Sequence, residues 1–280
     1  MIHIYLMALL VLACQKETPK PYIPEPEPPK PKEYRFAEQP SWSDEFDYTG
    51  LPDPDKWGYD VGAQNGWGNN ELQYYTEAEI KNVEVKDGIL QIRALKESMG
   101  GKNFTSTRLV SRGKGDFLYG RFEVRAKVPV GRGTWPAVWM LPTDWAYGGW
   151  PASGEIDILE HVGFDPNVVH ISVHTQAYHH SIGTQKTATR TLPEAQTAFQ
   201  VYRVDWTPQD IKGFVNGTQI FQFKNEAKGF AVWPFDKKFH WLINLAVGGN
   251  WGGQQGIDET AFPATFEVDY VRVYPLIEIP

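Results

Sequence analysis

From residue 34 onward, apolar side chains recur at every second position and hardly anywhere at the three-to-four spacing of a helix. A period of two is what a strand buried on one face requires, because successive side chains point to opposite sides of a sheet. Residues 82–93 read as two such runs around Asp87-Gly88, and Asn216-Gly217 separates residues 211–215 from 218–223 in the same way. Both dipeptides are the turn chemistry of a tight hairpin. Residues 42–46 read as an opening edge strand, and 119–128, 168–174, 199–206, 239–246 and 266–274 alternate as well, while 193–198 form at most a short turn. The 280 residues are enough for one large domain with a substantial core, and no internal repeat is present. Many short strands in about 240 residues predict an all-β fold, a two-sheet antiparallel β-sandwich of the jelly-roll kind.

One strand-like run carries the chemistry. In Gly154-Glu155-Ile156-Asp157-Ile158-Leu159-Glu160-His161, Glu155 and Asp157 share one face and Ile156 and Ile158 the other. Glu160 has the wrong parity for a regular strand, and a β-bulge near Leu159 would return it to the acidic face. The two glutamate Cα atoms would then lie roughly 13 Å apart. Side chains leaning toward each other over the shorter Asp157 can close that to the ~5–5.5 Å carboxyl separation of a retaining glycosidase. A generic triplet of acids is more often a solvated strand face or a calcium site. Here the apolar partners Ile156, Ile158, Leu159 and Val162 imply a strand buried on one side, so the acids face something polar and enclosed. Crowded carboxylates cannot all ionise cheaply, so at least one pKa should rise, as a general acid requires.

Composition narrows the partners. A net charge of −7 with a pI near 5.5, and no basic cluster, exclude nucleic acid. Trp, Tyr and Phe make up 14% of the chain, including 11 Trp, and flat rings of this kind either fill a core or stack on sugar faces. Trp135 and Trp139 lie four apart in a strand-like run and therefore share a face; residues 147–150 form an aromatic loop ending in Trp150, just before the acids. Residues 65–71 supply Asn69 on a polar loop, and the glycine-rich stretch 244–253 supplies Trp251. Stacking platforms, neutral amides and paired acids together are what a polysaccharide cleft needs.

The N-terminus has its own logic. The apolar run 2–13 is too short to span a bilayer but suits a signal-peptide core, and it ends at Cys14, the sole cysteine, so no intramolecular disulfide can form. Val11-Leu12-Ala13-Cys14 resembles a bacterial lipoprotein signal, which implies cleavage before Cys14 and lipidation of its thiol. Gln15-Lys16-Glu17 is similar to the surface-export signal of Bacteroidetes lipoproteins. Residues 18–32 hold seven prolines among Lys and Glu and predict an extended spacer. The expected organisation is a signal peptide over 1–13, a lipid-anchored Pro-rich linker over 14–33 and a catalytic domain over 34–280.

The acidic run Glu155-Ile156-Asp157-Ile158-Leu159-Glu160 resembles the bulged signature of family 16 glycoside hydrolases, in the laminarinase-like branch. Trp67-Gly68-Asn69-Asn70-Glu71, Thr134-Trp135-Pro136-Ala137, Trp150-Pro151-Ala152-Ser153-Gly154 and residues 267–274 are similar to the same branch in the same order, over about residues 34–275. The resemblance implies a concanavalin A-like jelly roll with an open concave cleft, and endo-cleavage with retention. It assigns Glu155 as nucleophile, Glu160 as acid/base and Asp157 as the residue between them that shapes the nucleophile. It places His174 near the acid/base, Trp135 and Trp139 as stacking platforms on the non-reducing side, Asn69 and Trp251 further along, and Trp150 beside the acids. Arg108 is a candidate for a sugar hydroxyl or a nearby carboxylate. Members often carry a structural calcium, for which Glu45, the Gly88 carbonyl and Asp269 are the matching oxygen donors; none is needed for catalysis. The expected protein is a monomeric endo-β-glucanase, cutting β-1,3-glucan or mixed-linkage β-1,3/1,4-glucan, held on the outer membrane by a lipid and facing outward. A transglycosylase, a relative acting on agar or porphyran, and a non-catalytic glycan-binding lipoprotein are the alternatives. Retention of all three acids argues against the last.

Overall fold

The computed structural model describes residues 32–279, of which residues 33–279 belong to one compact unit. The signal peptide, Cys14 and the linker as far as residue 31 lie outside the described residues. Two antiparallel sheets of eight strands each face one another, accompanied by a two-stranded antiparallel pair and a short parallel pair. This is the two-sheet jelly roll that the alternation predicts.

One sheet centres on the strand Phe239–Val247, with Thr134–Pro142, Glu155–His161, Val168–His174 and Lys186–Thr191 following in order on one side. The opposing sheet centres on Gly120–Lys127 and Ala264–Tyr274. Phe122 and Trp206 from the second sheet meet Trp241 and Phe239 from the first, with ring centroids 5.3–5.6 Å apart edge to face for Phe122–Trp241 and Trp206–Phe239. All four rings are fully buried. Each contributes about 1.5–3 kcal/mol by leaving water, and this cluster ties the two layers together.

Alternation then decides what the outer face of the first sheet shows. Phe239, Trp241, Ile243, Leu245 and Val247 enter the main core, while His240, Asn244 and Ala246 emerge into a cleft. In the neighbouring strand Val138 and Met140 turn inward, and Trp135, Ala137, Trp139 and Leu141 turn outward. A smaller apolar group, Val110, Leu141 and Leu242 with Trp139 and Trp145 against it, forms under one end of this cleft.

The sequence missed several strands for identifiable reasons. Phe104–Ser106 and Arg108–Val110 are buried at every position, so Thr, Ser and Arg obscure any alternation. Lys186–Thr191 is a polar edge strand with no buried residue. Three short 3₁₀ turns, at Gln64–Gly68, His180–Ile182 and Glu259–Ala261, lack a long enough pattern to be read.

Gly163 links the acidic strand to its neighbour, its N–H donating to the Thr134 carbonyl at 2.9 Å. A Cβ there would sit 1.8 Å from the Gly131 carbonyl oxygen and 2.6 Å from Thr134 Oγ1, so backbone has to move. Gly163→Ala is expected to destabilise the domain by on the order of 3 kcal/mol, seen as a lower urea midpoint at unchanged m-value.

Candidate active site

The strand Glu155–His161 is irregular in the manner its acid spacing requires. Across to Thr134–Pro142, Asp157 opposes Trp139 and Leu159 opposes Val138; across to Val168–His174, Asp157 opposes Ser172 and Glu160 opposes His170. The extra residue lies at Ile158–Leu159, and both of these side chains are fully buried in the core. Two consecutive inward residues bring Glu160 back to the side of Glu155 and Asp157, and all three line the same cleft.

Each carboxylate is held by a ring N–H or a neighbouring ring. Trp150 Nε1 donates to Glu155 Oε2 at 2.9 Å, and Trp135 Nε1 donates to Glu160 Oε1 at 3.2 Å. His174 Nε2 stands 3.7 Å from Glu155 Oε1 and 3.4 Å from Asp157 Oδ2. Asp157 is 2% exposed, and neither its Oδ2 nor His174 Nδ1 makes a hydrogen bond among the described residues. Burial, reinforced by repulsion from Asp157, pushes the carboxyls of Glu155 and Glu160 up to about 8; burial likewise pushes Asp157 up to about 8. Groups this close titrate as a unit, so at neutral pH the trio retains protons in place of three full charges.

The cleft has a volume of about 580 Å³ and is walled by tryptophans 67, 135, 139, 145 and 150. Arg108 lies between two of them, its guanidinium 4.6 Å from the Trp67 ring centre and 4.8 Å from that of Trp139, and it pairs with Asp60 at 3.1 Å. Trp139 Nε1 donates to Asn244 Oδ1 at 2.7 Å. Asn69 Nδ2 donates to Glu71 Oε1 at 3.4 Å, and the Asn69 carbonyl accepts from the Asn250 N–H at 2.7 Å. Burial raises the Glu71 carboxyl above its ordinary value, against the pull of Gln73, Arg108, Asn69 and Tyr75.

Residues 70–272 match the family described as "Glycosyl hydrolases family 16". This chain belongs to glycoside hydrolase family 16. It is 56% identical over 244 residues to a β-glucanase from Rhodothermus marinus, an alignment covering 85% of each chain. The X-ray structure of the laminarinase from Rhodothermus marinus matches with a TM-score of 0.85 at 54% identity, covering 88% of this chain and 99% of that one. A mutant of SCLam, a non-specific endo-β-1,3(4)-glucanase of the same family co-crystallised with an oligosaccharide, matches with a TM-score of 0.82 at 43% identity, covering 88% and 98% of the two chains.

Within this family 16 enzyme, Trp139 and Arg108 line the cleft as expected, Arg108 paired with the nearby carboxylate of Asp60, while His174 and Trp251 stand outside its lining. His174 opposes Glu155 across the strand pair and contacts Glu155 and Asp157; the residue opposite Glu160 is His170. The antiparallel register causes this: with Glu155 opposite His174 and Asp157 opposite Ser172, the chain reaches Glu160 only four residues earlier, at His170. His174 is 6% exposed and lies beneath the carboxylates, outside the cleft lining. Trp251 is not among the residues lining the cleft; it packs edge-on against Trp135 at 5.5 Å and His170 at 4.8 Å, beside the cleft on the same face of the sheet. Trp139 reaches the cleft, with the guanidinium of Arg108 over its ring and the Val110–Leu141–Leu242 group packed against it. Arg108, in turn, is committed to Asp60 and two indoles.

Two of the residues of the calcium reading, Glu45 and Asp269, are paired with arginines in this structure. Glu45 accepts three hydrogen bonds from the Arg272 guanidinium at 2.7–3.2 Å, which hold its carboxyl below the usual range. Asp269 is paired with Arg125, and Gly88 sits in a hairpin turn at φ 77°. A cation bound by these carboxylates would have to displace two guanidiniums.

Residues to which the sequence assigned no role include Glu71, quoted only as part of the 67–71 motif and lining the cleft, and Gln73 and Tyr75, all three buried. The only signal was an acidic residue in an otherwise apolar and amide-rich run.

The raised carboxyl pKa values have a sign for stability. Between the ordinary carboxylate range and about 8, the folded protein holds protons that the unfolded chain has released, so these groups weaken the fold as pH rises through that window. Asp157→Asn is therefore expected to raise the Tm over the parent at pH 8 and hardly at all at pH 4, by about 2–4 °C for each kcal/mol recovered. A Tm difference that does not change with pH contradicts this account.

Proposed function

We propose that this chain is a retaining endo-β-glucanase cutting β-1,3-glucan and mixed-linkage β-1,3/1,4-glucan, displayed on the cell surface by a lipid on Cys14. The observation that carries the reading is the bulged strand that aims Glu155, Asp157 and Glu160 into an open, tryptophan-walled cleft. The substrate follows from similarity to proteins named laminarinase and non-specific endo-β-1,3(4)-glucanase. The surface display follows from Val11-Leu12-Ala13-Cys14 and the proline-rich spacer.

The surroundings of the two glutamates support different tasks for them. Glu155 receives the shorter indole hydrogen bond and faces His174, both of which favour its charged form. It attacks the anomeric carbon and forms the glycosyl-enzyme. Among the described residues Glu160 receives the single, longer bond from Trp135 and keeps its proton for the leaving oxygen. In the second half-reaction Glu160, now a base, takes a proton from the water that releases the sugar with its configuration retained. Asp157 shares its negative potential with both, so charge moving from Glu155 to the substrate makes protonation of the trio easier to redistribute.

Glu155→Gln is expected to lower kcat on laminarin by on the order of 10⁴ or more, and Glu160→Gln by about 10²–10⁴. Full activity in Glu155→Gln overturns the mechanism. Proton NMR of early products from laminarin and barley-type glucan checks both linkage and retention; an acceptor oligosaccharide in the same reaction tells hydrolysis from transglycosylation. Activity on neither glucan, with cleavage of agarose, rejects the substrate class. Because acid, base and nucleophile are all side chains, activity should persist in EDTA. Cys14→Ser is expected to move the protein from the membrane fraction to the soluble fraction.

A further inference from the structure

Beneath the cleft, hydrogen-bond donors run in one direction and end on a single oxygen. Trp139 Nε1 donates to Asn244 Oδ1 at 2.7 Å, Asn244 Nδ2 donates to the Tyr75 hydroxyl at 3.0 Å, and that hydroxyl donates to Glu71 Oε2 at 3.3 Å. A second chain begins at the Val247 N–H, which donates to Gln73 Oε1 at 2.7 Å; Gln73 Nε2 then donates to the same Glu71 Oε2 at 2.6 Å. Both origins are groups that can only donate, an indole N–H and a backbone N–H. Every amide and hydroxyl between them is thereby oriented, and each chain needs an acceptor at its far end. Glu71, 5% exposed and on a loop anchored to the Phe239–Val247 strand by the Glu71–Gly248 bridge, supplies that acceptor to both.

We propose that Glu71 is a positioning residue for glucan binding: as the shared terminus of these two chains it fixes the pose of Trp139 and Asn244 in the cleft wall. The inference rests on the reading of the cleft as a glucan site. Trp139 is the member that matters for a sugar. Arg108 stands over the ring and the Val110–Leu141–Leu242 group packs against it, so the tilt of the ring, set by its N–H, decides what part of it a pyranose can meet in the cleft. Tyr75 and Gln73 are completely buried, and Glu71, though it borders the cleft, is 5% exposed with Oε1 taken by Asn69 and Oε2 by Gln73 and Tyr75, so its effect passes through others. Loss of the acceptor leaves buried donors unpaired, and the chain relaxes by rotating Asn244 and releasing the indole. This weakens ground state and transition state alike, and so appears in KM with kcat preserved.

Three variants test it. Glu71→Leu, which removes the acceptor at similar volume, is expected to raise KM for laminarin about tenfold with kcat changed by less than about twofold. Glu71→Gln keeps one oxygen for Tyr75 and Gln73 and should recover most of the loss, whereas a role in folding alone predicts lower Tm and unchanged KM in both. Tyr75→Phe cuts the first chain by itself and should also raise KM; combined with Glu71→Leu it should add nothing further, since both break the same path. An unchanged KM in Glu71→Leu, or an additive double variant, overturns the proposal. If Glu71→Leu does not fold, Tyr75→Phe decides alone, and a wild-type KM there is equally fatal. Near-UV circular dichroism reads the indole directly without substrate: the signal lost on Trp139→Phe should shift in Tyr75→Phe. That readout holds even if the wild-type enzyme leaves glucan uncut, in which case the substrate assignment fails and the relay stands.

Discussion

Two buried side chains in succession, Ile158 and Leu159, are the constraint on which this site depends. A strand offers its faces alternately, and only an extra inward residue lets positions 155 and 160 emerge together. The core holds that irregularity in place. Ile158 and Leu159 both enter the same apolar layer as Val138, Met140 and Ile156, and restoring a regular register would expel one of them and bury Glu160 in its place. Exchanging a buried aliphatic group for a buried carboxylate costs several kcal/mol in each direction. The packing between the sheets therefore enforces the geometry of the acids on the other side.

The same arrangement carries an electrostatic cost. Three carboxyls lie within one enclosed wall, and each is driven toward its neutral form by loss of water and by its neighbours. Donors are few and placed with economy: one indole N–H for each glutamate, and an imidazole lodged between Glu155 and Asp157. Asp157 Oδ2 is left with no hydrogen bond among the described residues. Such under-solvation is unfavourable for folding and useful for acid–base work, because it brings carboxyl pKa values toward the neutral range. The aromatic cluster around Phe122, Trp206, Trp241 and Phe239 offsets it from the opposite side of the sheet.

The tryptophans divide by task in a way that composition does not reveal. Trp135 and Trp150 use their N–H groups to hold carboxylates; Trp139 is tied through Asn244 to a buried acceptor; Trp251 packs edge-on against Trp135. Arg108 fills the space between Trp67 and Trp139 and neutralises Asp60, which makes it part of the wall's rigidity. Four of the five wall tryptophans, Trp67, Trp135, Trp139 and Trp150, are thus fixed at their polar edge by an N–H hydrogen bond.

What the chain alone determined is everything local in period. Alternation and the Asp87-Gly88 and Asn216-Gly217 turns announced the two-sheet class, since a one-sided strand needs no knowledge of its partner. The parity of Glu155, Asp157 and Glu160 announced a bulge, because Ile158 and Leu159 are adjacent apolar residues in an otherwise alternating run. What only the tertiary structure decided is which neighbour each side chain meets. His174 faces Glu155 because the antiparallel register of the two strands sets it there and sets His170 opposite Glu160; Glu45 and Asp269 are taken by Arg272 and Arg125 from strands distant in sequence or across the sheet. Glu71, Tyr75 and Asn244 lie up to 173 positions apart yet form one path of hydrogen bonds. Periodicity reports which face a residue occupies; register, sheet order and loop packing, which no short window contains, choose its partner across that face.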